Sequence, residues 1–210
     1  MRRSEVADRT GFGIEDPGLN PQPSRLKSKG FTLIEIIVIL AVISILVAIL
    51  TPTVLKYIAE AQTNRAQEDV KIISAMLNDL IRDTGQYPGN FLFGDTFICG
   101  PGTQPSTGTV WCTAANFKQL SNHLIVNDPN ESGTTTAADY RSTGTFRWKG
   151  PYVQGLNEDP WGNAYAINAS TLVGGNTSPT WVISAGPDGV FQTATTATTA
   201  SGDDIGIRIK

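Results

Sequence analysis

The chain contains little of the chemistry on which most enzymes and zinc sites depend. Its 210 residues include one histidine, His123, and two cysteines, Cys99 and Cys112. A structural zinc site takes about four such ligands, and acid–base catalysis most often uses histidine. His123 has no nucleophile motif beside it, and no glycine-rich phosphate loop follows a candidate strand. We therefore expect neither enzymatic activity nor nucleotide binding.

Positive charge is scarce beyond the N-terminal segment. From residue 31 onward, ten Lys and Arg stand against fifteen Asp and Glu, a net charge of −5. Domains that bind nucleic acid carry a basic face, which this composition does not offer. Nucleic acid is therefore not an expected partner.

Only one long apolar run is present, and it lies near the N-terminus. Residues 36–50 contain a single polar residue, Ser44, and the run extends over residues 31–55. A helix of that length spans about 37 Å, enough for a hydrocarbon core of about 30 Å. We predict one transmembrane helix over residues 31–55. Apolar residues then recur at steps of three and four, which predicts an amphipathic continuation over residues 56–85, ending at Gly85.

The charges around this helix predict its orientation. Arg25, Lys27 and Lys29 precede it, whereas Lys56 alone follows closely. The positive-inside rule keeps residues 1–30 in the cytoplasm and places the C-terminal domain outside it, with the helix crossing the membrane once. A cleavable secretory signal is the alternative, because Ala-Glu-Ala at 59–61 fits its cleavage pattern. A cut there would remove 61 residues, whereas such signals have about 15 to 30.

The apolar run carries one acid, Glu35. A carboxylate in lipid costs several kcal/mol unless it has a partner or lies at the headgroup level. The sequence Gly-Phe-Thr-Leu-Ile-Glu at 30–35 resembles the type III signal of type IV pilins and pseudopilins. The resemblance implies that a prepilin peptidase removes a leader of residues 1–30 by cutting between Gly30 and Phe31. It also implies N-methylation of Phe31 and pairing of Glu35 with the terminal amine of a neighbouring subunit.

Pro52 lies near the end of the predicted membrane segment. It lacks an N–H group and crowds the carbonyl of Ala48, so a bend or a loosened turn is expected. A bend there suits packing of helices in a filament. The alternative is a proline that is tolerated where the helix leaves the membrane.

The connector, residues 86–149, is rich in Gly, Thr, Ser, Asn and Pro. We predict irregular structure there, with a short helix within residues 116–124. A disulfide between Cys99 and Cys112 would hold it, since an exported domain meets an oxidising compartment. Two free buried thiols are the alternative.

Three candidate strands follow the connector, at residues 164–168, 181–184 and 205–209. The expected α+β fold is pilin-like: a long N-terminal helix packed on a small three-stranded antiparallel sheet formed by residues 150–210. The sequences Gly-Pro-Tyr at 150–152, Asp-Pro-Trp-Gly-x-x-Tyr at 159–165 and Asp-x-Gly-x-Tyr-Pro at 83–88 resemble the major pseudopilins of type II secretion.

That resemblance implies a calcium site in the last loop, with Asp188 in a Gly-Pro-Asp-Gly turn and Asp203 and Asp204 as the later acidic pair. Calcium takes six to eight hard oxygens, which carboxylates and loop carbonyls supply. Pro187 and a threonine-rich tract depart from the family pattern, so a bare turn at Asp188 is the alternative. This loop does not read as an EF-hand, because it lacks that motif's alternating carboxylates and twelfth-position glutamate.

These features predict a structural subunit of a filament, most simply the major pseudopilin of a bacterial type II secretion system. The resemblance implies self-assembly from the inner membrane into a filament in the periplasm or at the cell surface. The implied partners are a prepilin peptidase, an inner-membrane platform protein, an assembly ATPase and minor pseudopilins. A type IV pilin or minor pilin for adhesion, motility or DNA uptake is one alternative. A single-pass anchored binding domain that does not polymerise is another.

Overall fold

The computed structural model describes residues 30–92, 96–107, 111–113, 117–134, 136 and 139–210. The predicted leader, apart from Gly30, lies outside the described residues. The chain divides into two compact units, of which the first ends at Ala48 and the second comprises Ile49–Lys210.

The first element, helix α1, comprises Leu33–Thr84. It continues through Pro52 without an interruption, so the loosened turn remains a prediction. Its predicted end is confirmed: Gly85 has a φ of +65°, and its N–H donates to the Ile81 carbonyl at 2.8 Å. Glycine adopts this left-handed conformation without the clash that a Cβ would cause.

The N-terminal part of α1 is long and apolar enough to cross a membrane once. The large apolar side chains from Phe31, just before α1, to Ile58 are between 43% and 78% exposed. Burial begins only at Ala66. Within the described chain this part of the helix therefore has no protein core to cover it, as expected for a segment that lipid or other helices surround.

Beyond α1 the chain forms short strands and one further helix, α2, at Leu120–Leu124. Short 3₁₀ turns occupy Pro88–Phe91 and Ala169–Thr171. The strands are β1 (Phe97–Cys99), β2 (Ser106–Thr107), β3 (Phe117–Gln119), β4 (Ala166–Ile167), β5 (Trp181–Ser184), β6 (Val190–Phe191) and β7 (Ile205–Arg208).

The main sheet has five strands in the order β3-β1-β4-β5-β7. The three predicted strands are present as β4, β5 and β7, and they pair antiparallel as expected. The connector, predicted to be irregular, adds β1, antiparallel to β4, and β3, parallel to β1. A separate parallel pair joins β2 to β6. The sheet is thus mixed and larger than the three strands that were expected.

Alternate residues of the central strands enter two different apolar clusters. Ile98, Ile167 and Val182 pack with the α1 face that contains Val70 and Leu77. The residues next to them along the same strands belong to a second cluster. Its members are Phe97, Cys99, Trp111, Cys112, Ala166, Trp181, Ile183, Ala185 and Phe191. Since successive side chains of a strand point to opposite faces, the sheet lies between α1 and a second layer that the connector helps to build.

The predicted disulfide between Cys99 and Cys112 is present, with a Cα–Cα distance of 6.1 Å. It joins β1 to the segment after β2, and both cysteines are buried. The predicted helix at 116–124 is shorter than expected. Asn116 lies outside the described residues, Phe117–Gln119 is a strand, and only Leu120–Leu124 is helical.

Candidate functional site

Glu35 lies in the first turn of α1, where it forms a capping box with Thr32. The Glu35 N–H donates to Thr32 Oγ1 at 3.3 Å, and the Thr32 N–H donates to Glu35 Oε2 at 2.7 Å. The Thr32 hydroxyl also donates to Glu35 Oε2, at 2.9 Å. Each side chain thereby satisfies a backbone N–H that the helix leaves unpaired.

This cap was not anticipated, although the sequence signal is the ordinary one, a threonine followed three residues later by a glutamate. It changes the account of Glu35, whose carboxylate already has partners within its own chain. The partners are neutral groups, so the negative charge itself is solvated but not neutralised. The predicted cleavage site directly precedes the cap. Gly30 has no neighbouring atom near the position of a Cβ, and Phe31 is 78% exposed.

Asp159 organises the Asp-Pro-Trp-Gly turn ahead of β4. It is buried, and its Oδ1 accepts the N–H groups of Trp161 and Asn163 at 3.0 and 2.7 Å. Its Oδ2 accepts the hydroxyl of Ser184, at the end of β5, at 2.6 Å. The motif is therefore structural, because it fixes the start of the last loop against the turn, with Trp161 itself only half-buried.

Two polar contacts join the same region to α1. Gln62 Nε2 donates to the Pro160 carbonyl at 3.4 Å, and the hydroxyl of Tyr165 donates to Asp69 Oδ2 at 2.8 Å. Burial, together with the hydrogen bond to Asp69, raises the pKa of Tyr165 well above its usual value. Tyr165 therefore stays neutral and remains a donor to the helix.

In the last loop, the backbone of Asp188 contacts the side chain of Asp203. The Asp188 N–H donates to Asp203 Oδ2 at 3.2 Å. Gln192, which the sequence did not point to, bridges them. Its Nε2 donates to Asp188 Oδ2 at 2.6 Å, and its Oε1 accepts the Asp203 N–H at 3.1 Å. The two carboxylates and one amide form a small oxygen-rich group beside the Gly186 turn.

Asp204 does not join this pair directly. It is buried, and its Oδ2 accepts the N–H groups of Gln192 and Thr193 at 2.9 and 2.6 Å. Its Oδ1 is buried without a hydrogen-bond partner. Loss of hydration raises the pKa of Asp204 above its ordinary value, although the bonds to Thr193 and Gln192 oppose the shift. The described residues contain no close group of three His, Cys, Asp or Glu side chains, so Asp188, Asp203 and Asp204 do not form one preassembled cluster.

His123 is fully buried in α2. Its Nδ1 is 2.7 Å from the Tyr140 hydroxyl, and its Nε2 has no hydrogen-bond partner. Loss of hydration, aided by the charge of Lys118, lowers the pKa of His123 to about 3. The imidazole is therefore a neutral core residue at physiological pH.

Two family models match separate parts of the chain. Residues 25–51 match the prokaryotic N-terminal methylation motif, and residues 125–201 match the family described as type II secretion system, protein G. No solved structure gives a significant match.

Three curated relatives carry the name type II secretion system core protein G. The protein from Klebsiella pneumoniae is 22% identical, with 86% of this chain and 94% of that protein covered. The protein from Pseudomonas aeruginosa is 27% identical, over 79% and 87% of the two chains. The protein from Escherichia coli is 24% identical, over 80% and 87%.

A capped apolar helix whose first part lies within a methylation motif, together with a small mixed sheet, is the architecture of a type IV pilin-like protein. Within that class, the chain is similar over most of its length to the proteins named type II secretion system core protein G.

Proposed function

We propose that this chain is the major structural subunit of a pseudopilus in a type II secretion system. Cleavage before Phe31 would free an amine, and α1 of many copies would form the filament core. By family resemblance, a prepilin peptidase processes the chain, while an inner-membrane platform, an assembly ATPase and minor pseudopilins act with it. The role is mechanical, and no catalytic step is assigned to this chain.

The position of Glu35 is the observation that carries this proposal. It is an acid within an apolar helix whose neighbouring side chains are exposed. The Thr32 cap supplies hydrogen bonds but no positive charge. A charge left without a counter-charge is costly in lipid, so the amine of Phe31 from another copy is the partner that completes the site.

The chain beyond the membrane helix, from residue 56 onward, is assigned to the periplasm on two grounds. The basic residues Arg25, Lys27 and Lys29 precede the apolar run and favour a cytoplasmic N-terminus. The buried disulfide between Cys99 and Cys112 fits an oxidising compartment rather than the cytosol.

Glu35 variants separate charge pairing from helix capping. Glu35→Gln keeps an oxygen acceptor for the Thr32 N–H and loses the charge, whereas Thr32→Ala weakens the cap and keeps the charge. In cells with the matching peptidase and secretion system, we expect Thr32→Ala to form filaments. Glu35→Gln and Glu35→Leu should be cleaved and inserted but should not assemble. Cross-linking ladders and the mass of the mature N-terminus report both steps.

Filaments of Glu35→Gln at the wild-type level would refute charge pairing. Processed wild-type chains that stay monomeric at high membrane density would instead favour the anchored binding domain. Filaments that appear at the cell surface and support adhesion or motility, but not secretion, would favour a type IV pilin.

We also propose that the last loop binds calcium through Asp188 and Asp203. The Asp203 carboxylate accepts the Asp188 N–H, and the Gln192 side chain bonds to both residues. The next residue, Asp204, has a buried Oδ1 without a hydrogen-bond partner. Hard oxygens of this kind suit calcium. The ion would neutralise the repulsion of the acids and hold the loop closed.

Calcium at about one hundred times its dissociation constant adds about 2.7 kcal/mol to stability. For a domain of this size that raises Tm by about 5 to 10 °C. Thermal melting of the full chain in detergent, with calcium or with chelator, measures the shift. The double variant Asp188→Asn, Asp203→Asn should lose the part of the calcium-dependent rise in Tm that the last loop contributes. If calcium raises the Tm of that double variant as much as it raises the Tm of the wild type, the last loop does not bind the ion.

A further inference from the structure

Large apolar side chains are rarely exposed on the described part of the chain beyond Ile58. Three such residues are exposed: Ile72 on α1 is 45% exposed, Val126 after α2 is 49% exposed, and Phe146 in the connector is 59% exposed. Single exposed apolar side chains are common on protein surfaces. Phe146 and Ile72 differ from that ordinary case, because each stands among charges of one sign that have no partner.

Phe146 belongs to a loop that carries only positive charge, the basic loop (residues 141–149). This loop contains Arg141, Arg147 and Lys149 and no acid. Lys149 forms an ion pair with Asp83, but Arg141 and Arg147 are exposed and form no ion pair with a described residue. The basic loop therefore presents an aromatic ring together with two unpaired positive charges.

The base of the basic loop is fixed to the rest of the domain. The Trp148 N–H donates to the Arg141 carbonyl at 2.7 Å, which closes the loop. Trp148 Nε1 donates to the His123 carbonyl at 3.1 Å. Lys149 Nζ lies 2.8 Å from Asp83 Oδ1, near the end of α1. A loop that is already held at its base loses little conformational freedom when its tip binds, so the tip is suited to a contact.

A groove lies between α1 and the segment that follows the basic loop. It has a volume of about 80 Å³ and is open to solvent. That volume is smaller than the roughly 150 Å³ of a cavity that holds benzene, so the groove admits part of a side chain rather than a free ligand. Its lining residues include Asp69, Ile72, Met76, Val153, Leu156 and Asn157.

Two unpaired acids stand beside the groove. Glu68 lies one helical turn before Ile72 on the same face of α1, and Glu158 directly follows Asn157. Both acids are exposed, and neither forms an ion pair within the described chain. The charge beside the groove is therefore opposite to that of the basic loop.

The cations of the same part of α1 do not cancel this charge. Arg65 is already paired with Asp69, at 3.6 Å. Lys71 is one residue from Ile72 and thus points about 100° away from it around the helix. The side of α1 that lines the groove consequently keeps an excess of carboxylates.

The basic loop and the groove lie at different heights along α1. A Cβ at Gly85 would be 3.6 Å from the Phe146 ring, which places the ring at the end of the helix. From Ile72 to that end the helix rises about 20 Å. In parallel copies of α1, the ring of one copy would meet the groove of another copy that is displaced by about this distance. A contact between two different patches does not close into a pair but repeats from copy to copy, as a filament requires.

We propose that the basic loop of one copy docks into the groove of a second copy, with Phe146 over the apolar lining. The unpaired arginines of the loop face the unpaired acids Glu68 and Glu158. A second copy is the occupant because both halves of the contact, which are opposite in charge, are present on this chain. This inference rests on the proposed filament, to which it adds a contact between C-terminal domains. One loop in one groove is small beside the roughly 800 Å² per partner of a stable complex, so α1 holds the copies together and this contact sets their register.

Site-directed photo-cross-linking of the full chain, in cells with the matching secretion system, maps the contact. Phe146→benzoylphenylalanine should give cross-linked dimers, and mass spectrometry should place the link in residues 66–82 or 150–158 of the second copy. Val126→benzoylphenylalanine is the matched control, because Val126 is similarly exposed and lies outside both patches. It should give no link to the groove.

The outcomes separate this contact from the filament itself. Filaments in which position 146 links to another part of the second copy, to a different protein, or to nothing overturn the docking and leave the proposed function standing. Wild-type chains that stay monomeric overturn both.

Charge reversal tests the electrostatic part of the contact. Arg147→Glu should lower the yield of the position-146 cross-link about threefold to tenfold, because an attraction becomes a repulsion. Adding Glu68→Arg or Glu158→Arg to that variant should restore it. Arg208→Glu is the control, since Arg208 is an exposed arginine on β7 outside both patches, and it should leave the yield unchanged.

Three results would overturn the charge pairing: an unchanged yield in Arg147→Glu, an equal loss in Arg208→Glu, or no recovery with either reversed acid. If Arg147→Glu does not fold, Arg141→Glu takes its place, and the position-146 cross-link in the otherwise wild-type chain still decides the docking.

Discussion

Acid should destabilise this protein through His123. The imidazole is fully buried beside Tyr140, and its pKa is lowered to about 3, mainly by loss of hydration. An unfolded histidine has a pKa of about 6.5. Because the folded pKa is depressed, the unfolded state binds the proton first as pH falls. Stability is therefore lost progressively from about pH 6.5 towards pH 3, at up to about 1.4 kcal/mol per pH unit.

Between pH 7 and pH 5 this linkage amounts to about 2 kcal/mol, which lowers Tm by about 4 to 8 °C for a domain of this size. His123→Asn keeps a polar partner for the Tyr140 hydroxyl and does not titrate. It should lower stability at pH 7 but flatten the change from pH 7 to 5. Thermal melts in chelator, followed by tryptophan fluorescence, keep metal binding out of the comparison. An equal loss of Tm in wild type and His123→Asn would refute the assignment.

Three further changes test how the second unit is held together. Replacing Cys99 and Cys112 by Ala should lower the free energy of unfolding by about 3 kcal/mol, since the bridge closes a loop between residues 13 apart; an unchanged denaturation midpoint would contradict this. Tyr165→Phe removes the donor to the Asp69 carboxylate and should cost about 1.5 to 3 kcal/mol by the same assay, whereas a neutral result would mean that water replaces the contact. Gly186→Ala should cost about 1 to 2 kcal/mol or more, because Gly186 has a φ of +68° and a Cβ would meet the Asp203 carbonyl; wild-type melting would show that the turn can relax.

The N-terminal segment illustrates how much a local pattern can predict. The apolar run, the cap residues and the helix end at Gly85 are encoded by neighbours in sequence, through helical spacing and a left-handed glycine. The Thr32–Glu35 cap was predictable by the same means. It was missed because the acid was read only as a charge that needed a partner in another subunit.

The connector contains structure that local sequence patterns do not predict. Strands β1 and β3 have three residues each, and neither forms an alternating run long enough to be recognised. They are strands because β1 meets β4 at residues about seventy positions later, an alignment that only the closed fold provides. The burial of His123 was unpredictable for the same reason, since nothing near it in sequence signals burial.

The sequence by itself determined the membrane helix, its cap and end, the cysteine pair and the three C-terminal strands, because each depends on spacing within a few residues or on composition. Only the tertiary structure decided that the connector extends the sheet and that His123 and Asp204 are buried. Burial and long-range pairing depend on which distant segments meet, and no window of neighbouring residues contains that information.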